Sequence, residues 1–323
     1  MPRVSANGLE IEVETFGDPR RPAVLLVMGL GMQLVAWPLE FCQALVAAGY
    51  RVVRFDNRDV GLSTRVPGTP RSTAVELGRY LARLPVRAPY RIEDMAEDAV
   101  GVLDALGLPA AHLVGASLGG MIAQTVAARH PARCLSLMTI MSTSGARRLP
   151  MATLGVGLAF SRRPPPGASF EAKLDHVVRV FRAIGSPGYP TPEPLLRERM
   201  ARSLRRSSDS EGALRQLLAV LASGDRSEAL AAIRAPTLVL HGEDDPFVRV
   251  AHGRDCAKKI PGAVLHTVPG MGHDFAPGLM PLLVAETVAH LQRAAAHNAR
   301  LARGDDAQAR THDHLAGGGA PTG

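Results

Sequence analysis

An α/β architecture, with a mostly parallel central sheet flanked by helices and an inserted helical cap, follows from three features of the 323-residue chain. Short β-branched or aliphatic runs alternate with longer helical patterns, which is the signature of βα units and a parallel sheet. The run AVLLVM at residues 23–28 is apolar throughout, as a strand covered on both faces must be. From about residue 142 to 233 the strand pattern vanishes, and helical stretches separated by Pro and Gly replace it.

Residues 8–16 alternate Leu9, Ile11 and Val13 and predict an early antiparallel strand. After the strand at 23–28 comes a helical pattern over 37–48, stopped by Gly49, and then the strand RVVRF at 51–55. Residues 56–90, rich in Pro and Arg, read as a loop. An amphipathic helix follows at 92–106, with Met95, Ala99, Val102, Leu103 and Leu106 on one stripe and Gly107 as its stop. The strand AHLVG at 111–115, a small-residue helix at 118–129 and the strand RCLSLMTI at 133–140 come next. Beyond the cap, PTLVL at 236–240 and AVLHTV at 263–268 restore the sheet, with one helix between them and another at 281–295. These limits divide the chain into a core at 1–142 and 235–297, a cap at 143–234 and a disordered tail at 298–323.

Apolar residues make up 46% and charged residues 21%, so the chain can bury a large core and is not compositionally disordered. The first ten residues lack the apolar centre of a signal peptide, and no apolar run is long enough to span a bilayer. A cytoplasmic protein without membrane insertion is expected. Cys42, Cys134 and Cys256 lie far apart without metal-ligand spacing, which fits free thiols and predicts neither a disulfide nor a metal site. Residues 143–234 hold fourteen arginines and one lysine against eight acidic residues, an excess equal to the whole net charge of +7. Those arginines are interleaved with Leu, Ala and Ser at helical spacing, and aromatics for base stacking are few. A solvated helical face is the expected explanation, an electropositive entrance the alternative, and no nucleic-acid partner is expected.

The chemistry centres on Val114-Gly115-Ala116-Ser117-Leu118-Gly119-Gly120. A strand ends at Gly115 and a helix begins near Leu118, so Ser117 falls on the tight turn between them. Such an elbow forces unusual backbone angles on the serine and demands small residues two before and two or three after it. A serine hydroxyl is a weak nucleophile at neutral pH and needs a base held in one tautomer. On an open α/β sheet the acid and then the base follow on loops after later strands. The loop after PTLVL reads His241-Gly242-Glu243-Asp244-Asp245-Pro246, and the loop after AVLHTV reads Pro269-Gly270-Met271-Gly272-His273-Asp274. His273 is the one histidine of eleven that follows the last strand in a short glycine-rich loop. Asp245 is favoured as the acid because Pro246 can fix the turn that aims it, with Asp244 and Glu243 as alternatives. Donors for a developing oxyanion are expected from the backbone N–H groups of Leu118 and Leu30, the latter in the loop Met28-Gly29-Leu30-Gly31-Met32. Gly29 and Met32 of that loop are the expected substrate contacts. No cofactor is called for.

These pieces resemble the α/β-hydrolase superfamily, and more closely esterases of the aclacinomycin methylesterase type. The resemblance rests on Gly17-Asp18-Pro19, Val27-Met28-Gly29, Trp37-Pro38 with Glu40-Phe41, residues 53–59 (VRFDNRD) with 61–64 (GLST), the GASLGG elbow and the PGMGH of residues 269–273. It implies an α/β-hydrolase fold, hydrolytic roles for Ser117, Asp245 and His273, and a structural role for Asp56, Arg58 and Gly61. The cap has no counterpart that can be aligned.

A cofactor-free carboxylic ester hydrolase with a covalent acyl-enzyme is therefore the expected function, with a small-molecule ester as its partner. A lactonase, a C–C bond hydrolase or a cofactor-free haloperoxidase or perhydrolase could use the same three residues. The apolar stretch at 151–160 would line an acyl or alcohol pocket, or simply pack the cap. A small-ligand binding protein on the same scaffold is the rival from a different class. Dehalogenases and epoxide hydrolases are disfavoured, since they need a carboxylate where Ser117 stands. Oligomeric state is left open.

Overall fold

The structure is a computed structural model that describes residues 3–68, 73–165, 167–208 and 211–316. The hairpin of β1 (Arg3–Ala6) and β2 (Leu9–Phe16) turns at Asn7 and Gly8, both at positive φ. Strands β3 (Ala23–Val27), β4 (Arg51–Phe55), β5 (Ala111–Ala116), β6 (Cys134–Ile140), β7 (Thr237–Gly242) and β8 (Val264–Val268) complete an eight-stranded sheet. Its order is β1-β2-β4-β3-β5-β6-β7-β8, antiparallel at the first two pairings and parallel from β4 onward. All of β3 and β5 is buried, which explains why their sequences lack alternation.

Helices cover both faces. On one, α3 (Ile92–Ala105) and α4 (Leu118–Arg129) pack Met95, Leu103, Ile122 and Val126 against Leu25, Leu113 and Leu137. On the other, α1 (Leu39–Ala47) and the terminal helix bring Phe41, Leu45, Leu283 and Leu291 against Val24, Val114 and Leu238. Each fully buried aliphatic side chain of this kind contributes about 1.5–3 kcal/mol relative to exposure.

Three sequence expectations need correction. Residues 56–90 are not loop throughout, because α2 (Thr73–Leu81) forms within them. The strand pattern starts earlier than residue 8, since β1 pairs along β2 from Arg3. The tail expected from residue 298 is helical up to Ala316: after α10 (Val250–Lys259), the terminal helix α11 spans Met280–Ala316. Ala and Arg, both strong helix formers, supply eight of the nineteen residues of that extension, which has no apolar stripe. Residues 317–323 lie outside the described residues.

Between β6 and β7 run α5 (Leu154–Ser161), α6 (Phe170–Ile184), α7 (Glu193–Arg206), α8 (Glu211–Ser223) and α9 (Ser227–Ala231). This insertion is not uniform. Helices α6 and α7 share a small apolar cluster of Leu174, Val178, Leu196, Met200 and Ala201. By contrast α8 and α9 place Ala219 and Leu230 in the main core beneath α3 and α4. The arginines divide too, and the solvated-face reading holds only for some. Arg197 meets Asp175 and Glu171 in solvent, whereas the buried Arg215 reaches Asp59, Arg206 reaches the buried Asp56, and buried Arg226 donates to Thr143 O. A charge removed from water must find such a partner, so Arg206 and Arg215 tie insertion to core, while Arg226 is satisfied within the insertion itself.

Candidate active site

The loops after β3, β5, β7 and β8 all leave the carboxyl edge of the sheet, where open α/β sheets build their sites. Ser117 stands between β5 and α4 at φ 54° and ψ −118°, a backbone that non-glycine residues adopt only when their surroundings enforce it. The enforcement is visible. A Cβ on Gly115 would lie 2.2 Å from Gly119 O, and one on Gly119 would lie 2.0 Å from Val27 O. The Ser117 N–H donates to Ile140 O at 2.9 Å, and the Ser142 hydroxyl donates to Ser117 O at 2.8 Å. The serine is thus fixed from both neighbouring strands.

Ser117 Oγ lies 3.0 Å from His273 Nε2, and His273 Nδ1 lies 2.7 Å from Asp245 Oδ2. A carboxylate only accepts, so Nδ1 carries the imidazole proton and Nε2 presents its lone pair to the serine hydroxyl. The other oxygen of Asp245 accepts from the N–H groups of Phe247 and Val248 at 2.9 and 2.8 Å. Pro246 thus stands inside a turn that fixes the carboxylate. The adjacent acids are engaged elsewhere, Asp244 with Gly270 N–H and Glu243 with the Thr267 hydroxyl. His241 is also close, with Nε2 3.7 Å from Asp245 Oδ2, yet that nitrogen donates to Val248 O at 2.7 Å. Burial holds the His241 imidazole below its ordinary pKa, so it adds no charge beside the acid.

Leu118 is the first residue of α4, where a backbone N–H has no acceptor within its own helix. Leu30 follows Gly29, where an added Cβ would lie 3.2 Å from Ser117 Cβ. Among the described residues neither Leu30 N–H nor Leu118 N–H donates to a backbone acceptor. The loop carrying Leu30 is braced at both ends. Asn57 Nδ2 donates to Met28 O at 2.9 Å, and Gly31 N–H donates to Gln216 Oε1 of α8 at 2.8 Å. The Asp56 carboxylate adds a third brace by accepting Leu34 N–H at 2.7 Å and Leu62 N–H at 2.8 Å. Arg58 pairs with Asp98, and a Cβ at Gly61 would fall 1.9 Å from Asp56 Oδ2.

A cavity of about 380 Å³ opens on Ser117 and His273. Met28, Gly29, Leu30 and Met32 form one wall, and Phe181, Ile184 and Met200 of the insertion form another. Gly29 and Met32, the substrate contacts expected from the sequence, both belong to this lining. The stretch 151–160 supplies much less than expected: only Phe160 lines the cavity, stacked 5.3 Å from Phe247, which meets the His273 ring edge-on at 5.0 Å. Val156 and Ala159 are buried, while Leu154 and Leu158, one turn apart, face solvent at 79% and 48% exposure. One face of a single helix cannot serve both the cavity and the outside. Among the described residues no group of His, Cys, Asp or Glu is arranged to hold a metal ion.

One further residue, Ser186, contacts the His273 loop without any sequence signal. Asp274 accepts from the Ser186 hydroxyl at 2.5 Å and from its N–H at 3.1 Å, and Gly272 N–H donates to Ser186 Oγ at 2.8 Å. Burial raises the Asp274 pKa above the usual carboxylate range, opposed by the hydrogen bonds from Ser186. Only the tertiary structure joins these residues, which are 88 positions apart.

Comparison with known proteins gives a consistent picture. The alpha/beta hydrolase fold family matches residues 22–276. Rhodomycin D methylesterase DnrP of Streptomyces peucetius is 28% identical over 301 residues, covering 87% of this chain and 94% of that protein. Rhodomycin D methylesterase DauP of Streptomyces sp. strain C5 is 30% identical over 300 residues, with the same coverage of both. Among solved structures, the enol-lactonase of Burkholderia xenovorans LB400 superposes with a TM-score of 0.68 at 22% identity, covering 90% of this chain and all of that one, a likeness of fold.

Proposed function

The chain belongs to the α/β-hydrolase family, and we propose that it is a carboxylic ester hydrolase working through Ser117, His273 and Asp245. The observation that carries this reading is the continuous chain from Ser117 Oγ through the two His273 nitrogens to Asp245, at 3.0 and 2.7 Å. His273 takes the serine proton as Oγ attacks the ester carbonyl, and Asp245 stabilises the imidazolium that forms. The N–H groups of Leu30 and Leu118 receive the oxyanion. Collapse of the tetrahedral adduct expels the alcohol, which leaves with the proton from His273. Water deprotonated by His273 then attacks the acyl-enzyme and releases the acid. The cavity, lined by Met28, Met32, Phe181 and Met200, suits a bulky and largely apolar acyl group. A small leaving alcohol fits the rhodomycin D methylesterases among its relatives. Three buried free cysteines support a reducing, cytoplasmic setting. Among the described residues no helix is long and apolar enough to cross a membrane.

The test is burst release of p-nitrophenol from p-nitrophenyl esters, followed by a screen of methyl esters and lactones. Ser117→Ala is expected to abolish the burst and lower kcat on the order of 10⁶-fold. A burst that survives the substitution eliminates the assignment.

A further inference from the structure

The loop that carries His273 does not rest on the sheet alone. It lies against residues 184–189, the connection between α6 and α7, and the two segments pass at backbone contact distance. His273 N–H donates to Ile184 O at 2.7 Å, Gly272 N–H to Ser186 Oγ at 2.8 Å, and Gly188 N–H to Gly270 O at 2.9 Å. In return the Ser186 hydroxyl donates to Asp274 at 2.5 Å and its N–H at 3.1 Å. Hydrogen bonds therefore attach residues 270, 272, 273 and 274 to the insertion.

The close approach depends on glycine from both sides. A Cβ on Gly272 would lie 2.4 Å from Gly185 O, and one on Gly188 would lie 2.7 Å from Gly270 Cα. Two chains this near cannot slide past one another without breaking most of those bonds at once. Ser186 is the hub. It is 3% exposed and lies outside the cavity lining, and its one hydroxyl both accepts from Gly272 and donates to Asp274, the two residues that flank His273.

We infer that Ser186 is a positioning residue for the His273 imidazole. It acts through the backbone of Gly272 and the carboxylate of Asp274, so the insertion forms part of the mount of the base. The inference rests on the proposed role of His273. At this end the insertion cannot serve as a swinging lid, because lifting residues 184–189 would carry the imidazole away from Ser117.

The test compares wild type with Ser186→Ala and Ser186→Cys, the latter matching the serine in size while hydrogen-bonding weakly. The first readout is the rate at which a fluorophosphonate probe labels Ser117, which needs no knowledge of the natural ester. The second is the split between kcat and KM on a p-nitrophenyl ester, alongside thermal unfolding. Displacing a reacting group by about an ångström costs on the order of 10²-fold. Labelling and kcat are therefore expected to fall about 10- to 100-fold in folded variants, with KM within about twofold of wild type. Both variants labelling within about twofold of wild type would overturn the inference, as would a rise in KM at unchanged kcat. If Ser186→Ala does not fold, Ser186→Cys decides alone. Wild type that fails to label defeats the hydrolase reading itself, a result separate from either outcome in the variants.

Discussion

Ser117 and His273 lie 3.0 Å apart, yet the chain holds them in different ways. The serine is mounted within the sheet: β5 delivers it, α4 carries it away, and Gly115, Gly119 and Gly120 leave room for the elbow's own backbone, for Val27 at the end of β3 and for Ser142 just after β6. The histidine is mounted remotely, by Ile184 and Ser186 from an insertion almost ninety positions earlier. A local mount is rigid because the sheet is rigid. A remote mount makes the position of the His273 imidazole depend on how the insertion packs.

The largest effect that sharpens this contrast leaves both mounts untouched. Asp245→Asn keeps the turn through Pro246 but upsets the tautomer of His273, and kcat is expected to fall about 10⁴-fold with unchanged thermal unfolding. A concurrent drop in melting temperature would mean that Asp245 also anchors the fold. Next comes a strike at the local mount. Gly119→Ala sets a Cβ 2.0 Å from Val27 O, a backbone atom that cannot rotate aside. The expected loss is about 3 kcal/mol, read by denaturant unfolding, with activity falling in parallel. If this variant keeps full stability, the elbow is more compliant than its contacts indicate.

Acid separates the two sides with a smaller effect. Burial pushes His112 on β5, and His290 on α11, from 6.5 down to about 4. Each is neutral in the fold, so as pH falls the unfolded chain takes up a proton first. Their contribution is fully present above about pH 6.5 and is lost between 6.5 and 4. Asp274 in the remote mount is displaced in the opposite sense: its raised pKa means that acid relieves it and rising pH loads it. Stability read by thermal unfolding should therefore decline by about 3 kcal/mol between pH 7 and 4 on account of His112, and His112→Gln should flatten the slope. A variant with the wild-type slope would remove His112 from the explanation.

The contrast in mounting also explains what could be read in the chain. The elbow, the order of the loops and the preference for Asp245 over Asp244 and Glu243 depend on neighbours within a few positions, which periodicity and turn chemistry reveal. The glycines of residues 269–273 were visible as a motif, but their purpose was not, because the atoms they make room for belong to Gly185 and Gly188. Gln216 and Ser186 carried no signal, since a lone polar residue near a helix resembles any solvated side chain until a partner appears. The arginines misled for the same reason: Arg206 and Arg215 sit at helical spacing like their exposed neighbours and differ only in what they meet across the interface. Helix α2 and strand β1 are short and rely on packing, so their local patterns were too weak to stand out.

The glycine contact between residues 184–189 and 269–274 also bears on engineering and on divergence within the family. Swapping the insertion for that of another hydrolase, to retune substrate range, would discard half of a matched pair unless the recipient's terminal loop were replaced along with it. Separated by 86 positions, Ser186 and Gly272 are joined by a hydrogen bond, and a donor sequence should be chosen for compatibility at that seam before the shape of its pocket is considered.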